Sequence, residues 1–460
     1  MSFNTFILKH EEVADPEVRA MLQAFFSRSP MPIQERLSSL GGKEDRIKAA
    51  LGTYYIGYGH ESIGELGDTT VFIEGVSMAA AKAIQDHELY RGQECSTRYI
   101  NFDKQPFFAG TYHTPELAAK AQELIEKWRG IYQDVLGQLQ YVVERAYARE
   151  FVLPADKQGD EALYTKTIKS ICFDIARGLL PIGATTSVAW SGDLRNLGRH
   201  CRKLMCSPLP EVAHVGAQVY ADLCEAYPNS FAAYTPTEVH RQMAKDGYYG
   251  MEFFHDENVD VQYREIGGAS DVLAALKKGY FHKENLEHLP RPLRYAARIQ
   301  ISDTLDYASY RDLQRHRPGL MTLALPDASE MHLDSWYCAW YDTLGPFISN
   351  RVNQLLSEIS AFFLDDVAPN QPYQEQYLIP MGVKVPVSVD WSLHEAVYVC
   401  NLRSGVTVHP TLRAKIRSWA PAIVERLGLE IAAVDRLFTL DKREDYQATR
   451  RGQQDIVQKT

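Results

Sequence analysis

The sequence has no excess of basic residues. It contains 49 Lys and Arg against 59 Asp and Glu in 460 residues, which gives a formal net charge of −10. A protein that binds nucleic acid by neutralising its phosphates needs the opposite balance, so this general class is excluded. Intrinsic disorder is excluded as well, because it requires low hydrophobicity and 45% of these residues are hydrophobic.

A disulfide framework is also missing. The 7 cysteines are an odd number without a repeated spacing, which favours a reducing compartment. Cys201 and Cys206 lie near His200 and His214, so a metal site and a pair of core cysteines are the two alternatives there. The spacing fits no zinc pattern well, and cysteine is commonly buried, which favours the core pair.

Long apolar runs are absent too. The longest uncharged segment, residues 178–192, contains Gly, Pro and Thr and is too short to cross a bilayer. Residues 1–20 carry acidic side chains and no apolar core, so we expect no signal peptide. Together these features predict a cytoplasmic protein that binds neither membranes nor nucleic acids.

Hydrophobic periodicity predicts an α+β fold in which helix dominates. Residues 115–149 place apolar side chains three and four positions apart, which predicts a long helix with one buried face. Residues 335–366 show the same pattern, with Pro346 as a break or a new helix start. Residues 68–74 and 298–306 alternate between apolar and polar and contain β-branched side chains, which predicts two strands.

The order of these elements repeats along the chain. Each half contains a strand, a helix, a polar loop, a longer helical stretch and then an apolar-proline pair, Leu180-Pro181 or Ile379-Pro380. We therefore predict two copies of one unit, residues 1–230 and residues 231–460. The boundary falls within residues 225–240, where proline and small polar residues cluster.

Two short segments of the first half carry closely spaced polar side chains. His60, Ser62 and Glu65 fall within about one helical turn, and the simplest interpretation is a helix start at which Ser62 and Glu65 form a capping box. Residues 94–99 combine hydroxyl groups with Arg98, which is typical of an anion-binding loop. A solvated loop fits the same residues equally well.

Cationic side chains cluster in the second half. Arg315-His316-Arg317 would stand at a helix end, where a phosphate or pyrophosphate would offset their mutual repulsion. A charged surface turn is the alternative, and Asp312 lies at helical spacing to balance Arg315. Asp193-Leu194-Arg195 and Asn401-Leu402-Arg403 form a further pair of segments, one in each half, whose arginines also suit a helix surface.

Taken together, these segments resemble the flavin-dependent thymidylate synthases. That family has a His-x-Ser/Thr-x-x-Glu element, an Arg-His-Arg motif, a Ser-x-Arg-Tyr loop, an Ala-Arg-x-x-Leu-Pro segment and an Asn-x-Arg-Ser helix that ends in Leu-Arg. The similarity covers most of residues 50–220 and, separately, residues 295–420. It implies an α+β fold of two tandem copies, each a helix-rich α/β unit with a central antiparallel sheet.

The first copy departs from the family pattern at one motif. The His60 element, the 94–99 loop and Arg177 match, and Asp193-Leu194-Arg195 stands where Asn-x-Arg is expected. However, Asp86-His87-Glu88 occupies the place of Arg-His-Arg, which reverses its charge.

The second copy departs at the complementary motifs. Arg315-His316-Arg317 and Asn401-Leu402-Arg403 are intact. No Ser-x-Arg loop follows, because residues 318–322 read Pro-Gly-Leu-Met-Thr, and Gln376 replaces the arginine of Ala-Arg-x-x-Leu-Pro.

The two copies lack different motifs, and the family's architecture offers an explanation. Its active sites are assembled at contacts between identical subunits of a tetramer. A fused pair needs only one complete site, so each copy can lose the half that it no longer uses. The resemblance therefore implies a composite site that joins Ser96, Arg98 and Arg177 to Arg315–Arg317 and Arg403. A homodimer of the chain would then mimic the family's tetramer.

The resemblance also implies an activity, the reductive methylation of dUMP at C5. Methylenetetrahydrofolate would supply the carbon, and FAD reduced by NADPH would supply the hydride; no metal is implied. The nucleotide would be bound by Glu94, Ser96, Arg98, Arg177 and Arg403, and Arg403 would stabilise the ionised pyrimidine. The implied FAD-binding residues are Arg315, His316, Arg317, Ser62, Glu94, Asp193 and Arg195.

Two other functions fit the same sequence. One is a divergent flavoenzyme that acts on another pyrimidine or another acceptor, which the changed charge at residues 86–88 would suit. The other is a flavin- or nucleotide-binding protein without catalysis, in which both copies have lost activity.

Overall fold

A computed structural model of the chain describes residues 8, 12–27, 31–39, 41–57, 60–98, 100–153, 155–246, 260–265, 272–367 and 373–442. Tyr99, the last residue of the predicted anion-binding loop, lies outside these residues.

The described residues contain two small antiparallel sheets. The strands are β1 (Asp68–Ser77), β2 (Arg91–Glu94), β3 (Thr185–Asp193), β4 (Asp260–Glu265), β5 (Ala297–Asp306), β6 (Leu320–Leu323) and β7 (Lys384–Ser392). The first sheet has the order β1-β3-β2 and the second the order β4-β5-β7-β6. The two strands predicted from alternation are confirmed as β1 and β5.

Helices make up most of the rest, so the predicted helix-dominated α+β class is confirmed. The α-helices are α1 (Pro16–Phe26), α2 (Ile33–Ser38), α3 (Glu44–Leu51), α4 (Met78–Gln85), α5 (Pro115–Ala146), α6 (Arg149–Val152), α7 (Glu161–Ala176), α8 (Leu194–Met205), α9 (Pro210–Ala226), α10 (Glu238–Lys245), α11 (Val272–Lys277), α12 (Arg291–Arg294), α13 (Tyr307–Leu313), α14 (Ser335–Thr343), α15 (Pro346–Phe362), α16 (Leu393–Arg403), α17 (Pro410–Arg426) and α18 (Val434–Leu437).

The long helix α5 follows from its sequence. The Thr114 side chain accepts a hydrogen bond from the main-chain N of Leu117 at 3.3 Å and caps the helix, and Pro115 suits the first turn. Leu124 and Trp128, four residues apart, are fully buried on one face. The helix predicted over residues 115–149 is therefore confirmed. The break predicted at Pro346 is confirmed as well, since α14 ends at Thr343 and α15 begins at that proline.

The chain divides into two compact units that do not follow the two halves. Unit 1 comprises residues 1–76, 80–94 and 186–250, and it contains the sheet β1-β3-β2. Unit 2 comprises residues 77–79, 95–185 and 251–460, so it combines the middle of the first half with most of the second half. No helix among the described residues is both long enough and apolar enough to span a membrane.

The same order of elements occurs in both halves. The succession β1-α4-β2 of the first half recurs as β5-α13-β6 in the second, and β3-α8-α9 recurs as β7-α16-α17. The strand orders β1-β3-β2 and β5-β7-β6 agree, with β4 added at the edge of the second sheet. The division into two copies at residue 230 stays a prediction, which this recurrence supports.

The two apolar-proline segments pair with each other inside unit 2. Pro181 and Pro380 form an antiparallel bridge. Four main-chain hydrogen bonds around it are reciprocal, because each bond has a counterpart with the roles of the two segments exchanged. The pairs are Ile182 N to Ile379 O (2.8 Å), Met381 N to Leu180 O (2.8 Å), Gly183 N to Tyr377 O (2.9 Å) and Gly382 N to Gly178 O (2.9 Å). A local two-fold axis therefore relates the two segments, as at the interface of a symmetric dimer.

Gly183 permits this close approach. A Cβ atom there would overlap the main-chain oxygen of Phe108 and lie 2.8 Å from that of Tyr377. We expect Gly183→Ala to lower the free energy of unfolding by about 2 kcal/mol, because the main chain must move to relieve the overlap. Gly137→Ala, at an exposed position of α5 with open space around it, should instead raise it by about 0.5–1 kcal/mol. Denaturant unfolding of both variants measures this difference, and equal stabilities would contradict it.

Candidate active site

Arg98 is held by groups from both halves of the chain. The Ser96 hydroxyl accepts a hydrogen bond from the main-chain N of Arg98 at 3.2 Å, which shapes the turn. The Arg98 guanidinium donates from Nε and Nη2 to both carboxylate oxygens of Asp174, at 2.6 and 2.7 Å, and from Nη1 to the carbonyl of Thr407 at 3.1 Å. Because Asp174 is buried in the last turn of α7, this bidentate pair fixes the Ser96 loop to α7, and the bond to Thr407 joins it to second-half main chain.

Arg177 is buried directly after α7. It is 2% exposed. Its Nη1 lies 3.3 Å from a carboxylate oxygen of Asp312, and its Nε donates to the hydroxyl of Tyr337 at 3.4 Å. Its Nη2 is buried without a hydrogen-bond partner among the described residues. A buried guanidinium with an unused donor suits a site that receives an anionic or carbonyl-bearing ligand.

Arg403 approaches the same aspartate from the end of α16. Its Nη2 donates to the main-chain carbonyl of Asp312 at 2.8 Å, and its Nε donates to Nε2 of His316 at 2.8 Å. Asp312 therefore contacts Arg177 of the first half through its carboxylate and Arg403 of the second half through its main chain. The predicted arginines from the two halves thus lie around one residue.

The electrostatics of Asp312 follow from this crowding. Burial alone would raise the pKa of its carboxyl, but Arg177, Arg98, Arg403 and Arg315 together lower the pKa to about 2. The carboxylate is therefore ionised at neutral pH and offsets part of the positive charge. The helical spacing suggested Arg315 as the partner of Asp312, but the hydrogen-bond partner is Arg177.

The His316 side chain, which the sequence predicts to bind a phosphate, is buried. Burial and the neighbouring cations Arg403, Arg315 and Arg317 lower its pKa to about 3, so the ring is neutral at physiological pH. Its Nδ1 lies 3.8 Å from a carboxylate oxygen of Glu395, whose pKa burial raises to about 7. Arg315 is exposed and Arg317 is partly exposed on the same segment, which follows α13 as predicted.

A buried polar network supports these side chains. Tyr337 donates to a carboxylate oxygen of Asp306 at 3.3 Å, and the hydroxyls of Ser309 and Thr411 lie 2.6 Å apart. The ring of His409 lies between two of these groups. Its Nδ1 is 2.7 Å from the hydroxyl of Thr411, and its Nε2 is 3.2 Å from the main-chain carbonyl oxygen of Asp174. The network is buried, so loss of one member leaves polar groups without partners.

The remaining predicted site residues lie in unit 1. Glu94 accepts a hydrogen bond from the side-chain amide of Gln85 at 2.7 Å. Asp193 caps α8 by accepting from the main-chain N of Asn196 at 2.9 Å. Arg195 pairs with Glu65, and Ser62 is exposed. Their proposed contacts with FAD stay predictions.

Asp86 makes its ion pair within unit 1. Its carboxylate lies 3.3 Å from Nζ of Lys203. Burial alone would raise its pKa, but Lys82 and Lys203 hold the pKa of this carboxyl below its usual value. Next to it, the rings of His87 and His200 lie 4.7 Å apart. This segment follows α4 as Arg315–Arg317 follows α13, and its acidic groups do not suit a pyrophosphate.

The capping-box interpretation of Ser62 and Glu65 is wrong. His60 holds the N-cap position of a 3-10 helix, Glu61–Leu66, and Ser62 lies inside that helix. The Glu65 carboxylate forms an ion pair with Arg195 on α8 and does not cap the main chain of its own helix.

The equivalence drawn between Asp193-Leu194-Arg195 and Asn401-Leu402-Arg403 is also wrong. Asp193 precedes α8, whereas Asn401 to Arg403 are the last residues of α16. Because α8 and α16 are the corresponding helices of the two halves, the two segments lie at opposite helix ends. Short motifs of the type x-Leu-Arg carry too little information to fix a register.

Sequence reasoning did not select Asp174 or Tyr337, although both hold site arginines. Asp174 stands in an apolar stretch, residues 171–176 (ICFDIA), at the end of a helix. An isolated acid in such a stretch is a usable signal, because a buried carboxylate requires a cation or hydrogen bonds. Tyr337 is one of four aromatic residues within residues 336–341 and carries no comparable signal.

We expect Asp312→Asn to lower the free energy of unfolding by about 3 kcal/mol, because it leaves the buried charge of Arg177 without its carboxylate. The matched control is Asp134→Asn, which removes an exposed ion pair with Arg351 and should cost less than about 1 kcal/mol. Denaturant unfolding compares the two, and a smaller loss for Asp312→Asn than for the control would contradict this assignment.

Buried neutral histidines predict how stability depends on pH. Burial is the first cause that lowers the pKa of His316 and of His200 to about 3, from 6.5. The unfolded chain therefore binds protons below pH 6.5 that the native state does not bind. The contribution of these neutral histidines to the free energy of unfolding is fully present above pH 6.5. It is lost as the pH falls toward 3, with a slope of about 1.4 kcal/mol per pH unit for each such histidine.

The pH dependence of His316→Gln tests this reasoning. Between pH 6 and pH 4 the unfolding free energy of the variant should fall less steeply than that of the wild type. His332→Gln, which changes an exposed histidine, should keep the wild-type slope. Identical slopes for wild type and His316→Gln, measured by denaturant titration at each pH, would show that His316 binds its proton normally.

Comparisons with known proteins find relatives of two kinds. A UPF0159 protein of Chlamydia muridarum is 24% identical over 428 residues, which cover 80% of this chain and 77% of that protein. A UPF0159 protein of Thermoplasma acidophilum is 21% identical over 483 residues, which cover 88% and 89%. A flavin-dependent thymidylate synthase of Pyrococcus furiosus is 32% identical over 116 residues, which cover 25% of this chain and less than half, 45%, of that enzyme.

The family assignment rests on the first half of the chain. Residues 7–229 match the model of a family described as thymidylate synthase complementing protein. This range agrees with the first predicted copy, residues 1–230, and the resemblance to the flavin-dependent thymidylate synthases is confirmed at the level of the family. These residues are just under half of the chain, and over them the chain is similar to the thymidylate synthase complementing protein family.

Proposed function

We propose that this protein is a flavin-dependent thymidylate synthase that methylates dUMP at C5, with one composite site in each chain. The observation that carries the proposal is the position of Asp312 between Arg177 of the first half and Arg403 of the second. Both arginines lie in unit 2, so one chain holds the nucleotide-binding and the catalytic cation.

The charges of the cluster suit an anionic nucleotide. The cations Arg98, Arg177 and Arg403 face the carboxylates of Asp174 and Asp312, and Asp306 also acts on Arg177. The unused Nη2 of Arg177 supplies a buried donor for a phosphate or pyrimidine oxygen. Arg98 donates to Asp174 and to the carbonyl of Thr407, so its part is to hold the loop of Ser96, while the Ser96 hydroxyl contacts the nucleotide.

Within this proposal Arg403 is the catalytic residue. Negative charge develops on the N3–C4=O system of the pyrimidine as C5 becomes nucleophilic. A guanidinium that is already fixed by His316 and by the carbonyl of Asp312 stabilises that charge without reorganisation. Burial around the cluster excludes water and strengthens the interaction. Methylenetetrahydrofolate supplies the carbon and NADPH reduces the flavin.

The second-half loop fits the anionic part of FAD. Arg315 is exposed and Arg317 is partly exposed, so their guanidinium groups are accessible to a pyrophosphate. Reduced FAD supplies the hydride in this chemistry.

The two halves are not equivalent as binding sites. The position that Arg177 takes at the local two-fold axis is held in the second half by Gln376, whose amide donates to the carbonyl of Pro326 at 2.6 Å. The position of Arg315–Arg317 is held in the first half by residues 86–88, where Asp86 is paired with Lys203. We therefore propose one functional site per chain, in a cytoplasmic homodimer.

Flavin stoichiometry tests this asymmetry. Titration of FAD into apo-protein, followed by flavin fluorescence, should saturate at one flavin per chain, because acidic groups replace Arg315 and Arg317 in the first half. Saturation at two equivalent flavins per chain would contradict a single composite site.

Tritium release from C5-labelled dUMP, with methylenetetrahydrofolate, FAD and NADPH, tests the activity. The wild type should release tritium, and Arg403→Ala should lower the rate by about 100-fold or more while FAD binding is retained. Arg351→Ala, which removes an exposed ion pair on α15, is the control and should keep the wild-type rate. Full turnover by Arg403→Ala would refute its role, and a flavin-loaded wild type without tritium release would refute the substrate.

A further inference from the structure

We infer that His316 acts on the reaction through Arg403, as a positioning residue, and that it does not bind the phosphates of the flavin. This inference rests on the proposed function, because Arg403 is the catalytic residue of that proposal. It assigns separate tasks to the three residues of the Arg315-His316-Arg317 motif.

Two groups hold the Arg403 guanidinium from different sides. Nε donates to the His316 ring at 2.8 Å, and Nη2 donates to the main-chain carbonyl of Asp312 at 2.8 Å. Both distances are those of good hydrogen bonds. Within the described part of the chain these bonds leave Nη1 for a ligand. His316 and Asp312 thus fix the direction in which Arg403 presents its remaining donors.

The geometry fixes the tautomer of the His316 ring. A guanidinium Nε always carries hydrogen and only donates, so Nε2 of His316 must accept, and the ring proton must be on Nδ1. Nδ1 faces a carboxylate oxygen of Glu395 at 3.8 Å. A protonated imidazole has no acceptor nitrogen, so a cationic His316 could not hold Arg403. The flanking cations Arg315 and Arg317, together with Arg403, disfavour that form.

Burial separates His316 from the two arginines of its motif. His316 is 7% exposed, whereas Arg315 is exposed to solvent. The ring of Tyr398 lies 6.0 Å away, edge to face, on the same helix as Arg403. A phosphate in solvent can therefore reach Arg315, while the imidazole is already committed to protein partners. Pre-organisation of this kind is what makes a fixed cation effective at a developing negative charge.

Three variants of the FAD-loaded enzyme test the inference. His316→Leu removes the acceptor with little change in volume, and His316→Gln replaces it with an amide oxygen. His394→Gln is the matched control, because His394 is a partly buried histidine of α16 that lies 3.0 Å from a main-chain carbonyl, that of Leu286. For each variant we would measure the dissociation constant of FAD by fluorescence, and kcat and KM for dUMP by tritium release.

We expect His316→Leu to lower kcat by about tenfold to 100-fold, as for a loosened transition-state donor, with the affinity for FAD within about threefold of wild type. His316→Gln should recover most of that loss, and His394→Gln should behave as wild type. The inference is overturned if His316→Leu weakens FAD binding and regains full kcat at saturating FAD. Equal defects in the Leu and Gln variants would overturn it too.

A structural readout separates this inference from the proposed function. A crystal structure of His316→Leu should show the Arg403 guanidinium displaced from the carbonyl of Asp312 or without a single position. An unchanged Arg403 would overturn the positioning role even if the wild type methylates dUMP. A displaced Arg403 in a protein that does not methylate dUMP would uphold the positioning role and refute only the substrate.

Discussion

The site depends on one partly buried negative charge, the carboxylate of Asp312. Arg177 is almost completely buried, and a buried guanidinium is stable only with a counter-charge and hydrogen bonds. Asp312 supplies the charge through its side chain, and its main-chain carbonyl holds Arg403. Because the surrounding arginines keep the pKa of the carboxyl at about 2, the charge persists over the whole physiological pH range. Removal of this residue would therefore affect the arginines of both halves at once.

The second constraint is the local two-fold relation between the halves. Reciprocal main-chain hydrogen bonds join residues 178–183 to residues 377–382, directly after Arg177 and Gln376. In a symmetric dimer such an axis would generate two equal sites. In a fused chain the two sequences can diverge, so Arg177 can be retained on one side and become Gln376 on the other. Under the proposed division into two copies, the same divergence would account for the opposite charges of Asp86 and Arg315, and the net charge of −10 says little about the local site.

Much of the fold was predictable from the sequence, and so was the family. Alternation over residues 298–306 and periodicity over residues 115–149 gave elements close to β5 and α5, because both depend on local patterns of burial. Arg98, Arg177 and Arg403 were selected from the family resemblance.

What could not be predicted is how these residues are held. Asp312 was weighed only against Arg315, its neighbour in sequence, because the contact with Arg177 spans 135 residues. His316 was assigned to a phosphate, since a sequence does not show that its ring is buried against Arg403. The alignment of Asn401-Leu402-Arg403 with Asp193-Leu194-Arg195 was wrong for a related reason, because the position of residues 401–403 at the end of α16 is set by tertiary structure.

The central claim, one complete site within each chain, is tested most directly by a crystal structure of the protein with dUMP. The account predicts one nucleotide per chain, in contact with Ser96, Arg177 and Arg403 of that same chain. A nucleotide held by arginines from two different chains, or two nucleotides bound at equivalent positions in one chain, would contradict it.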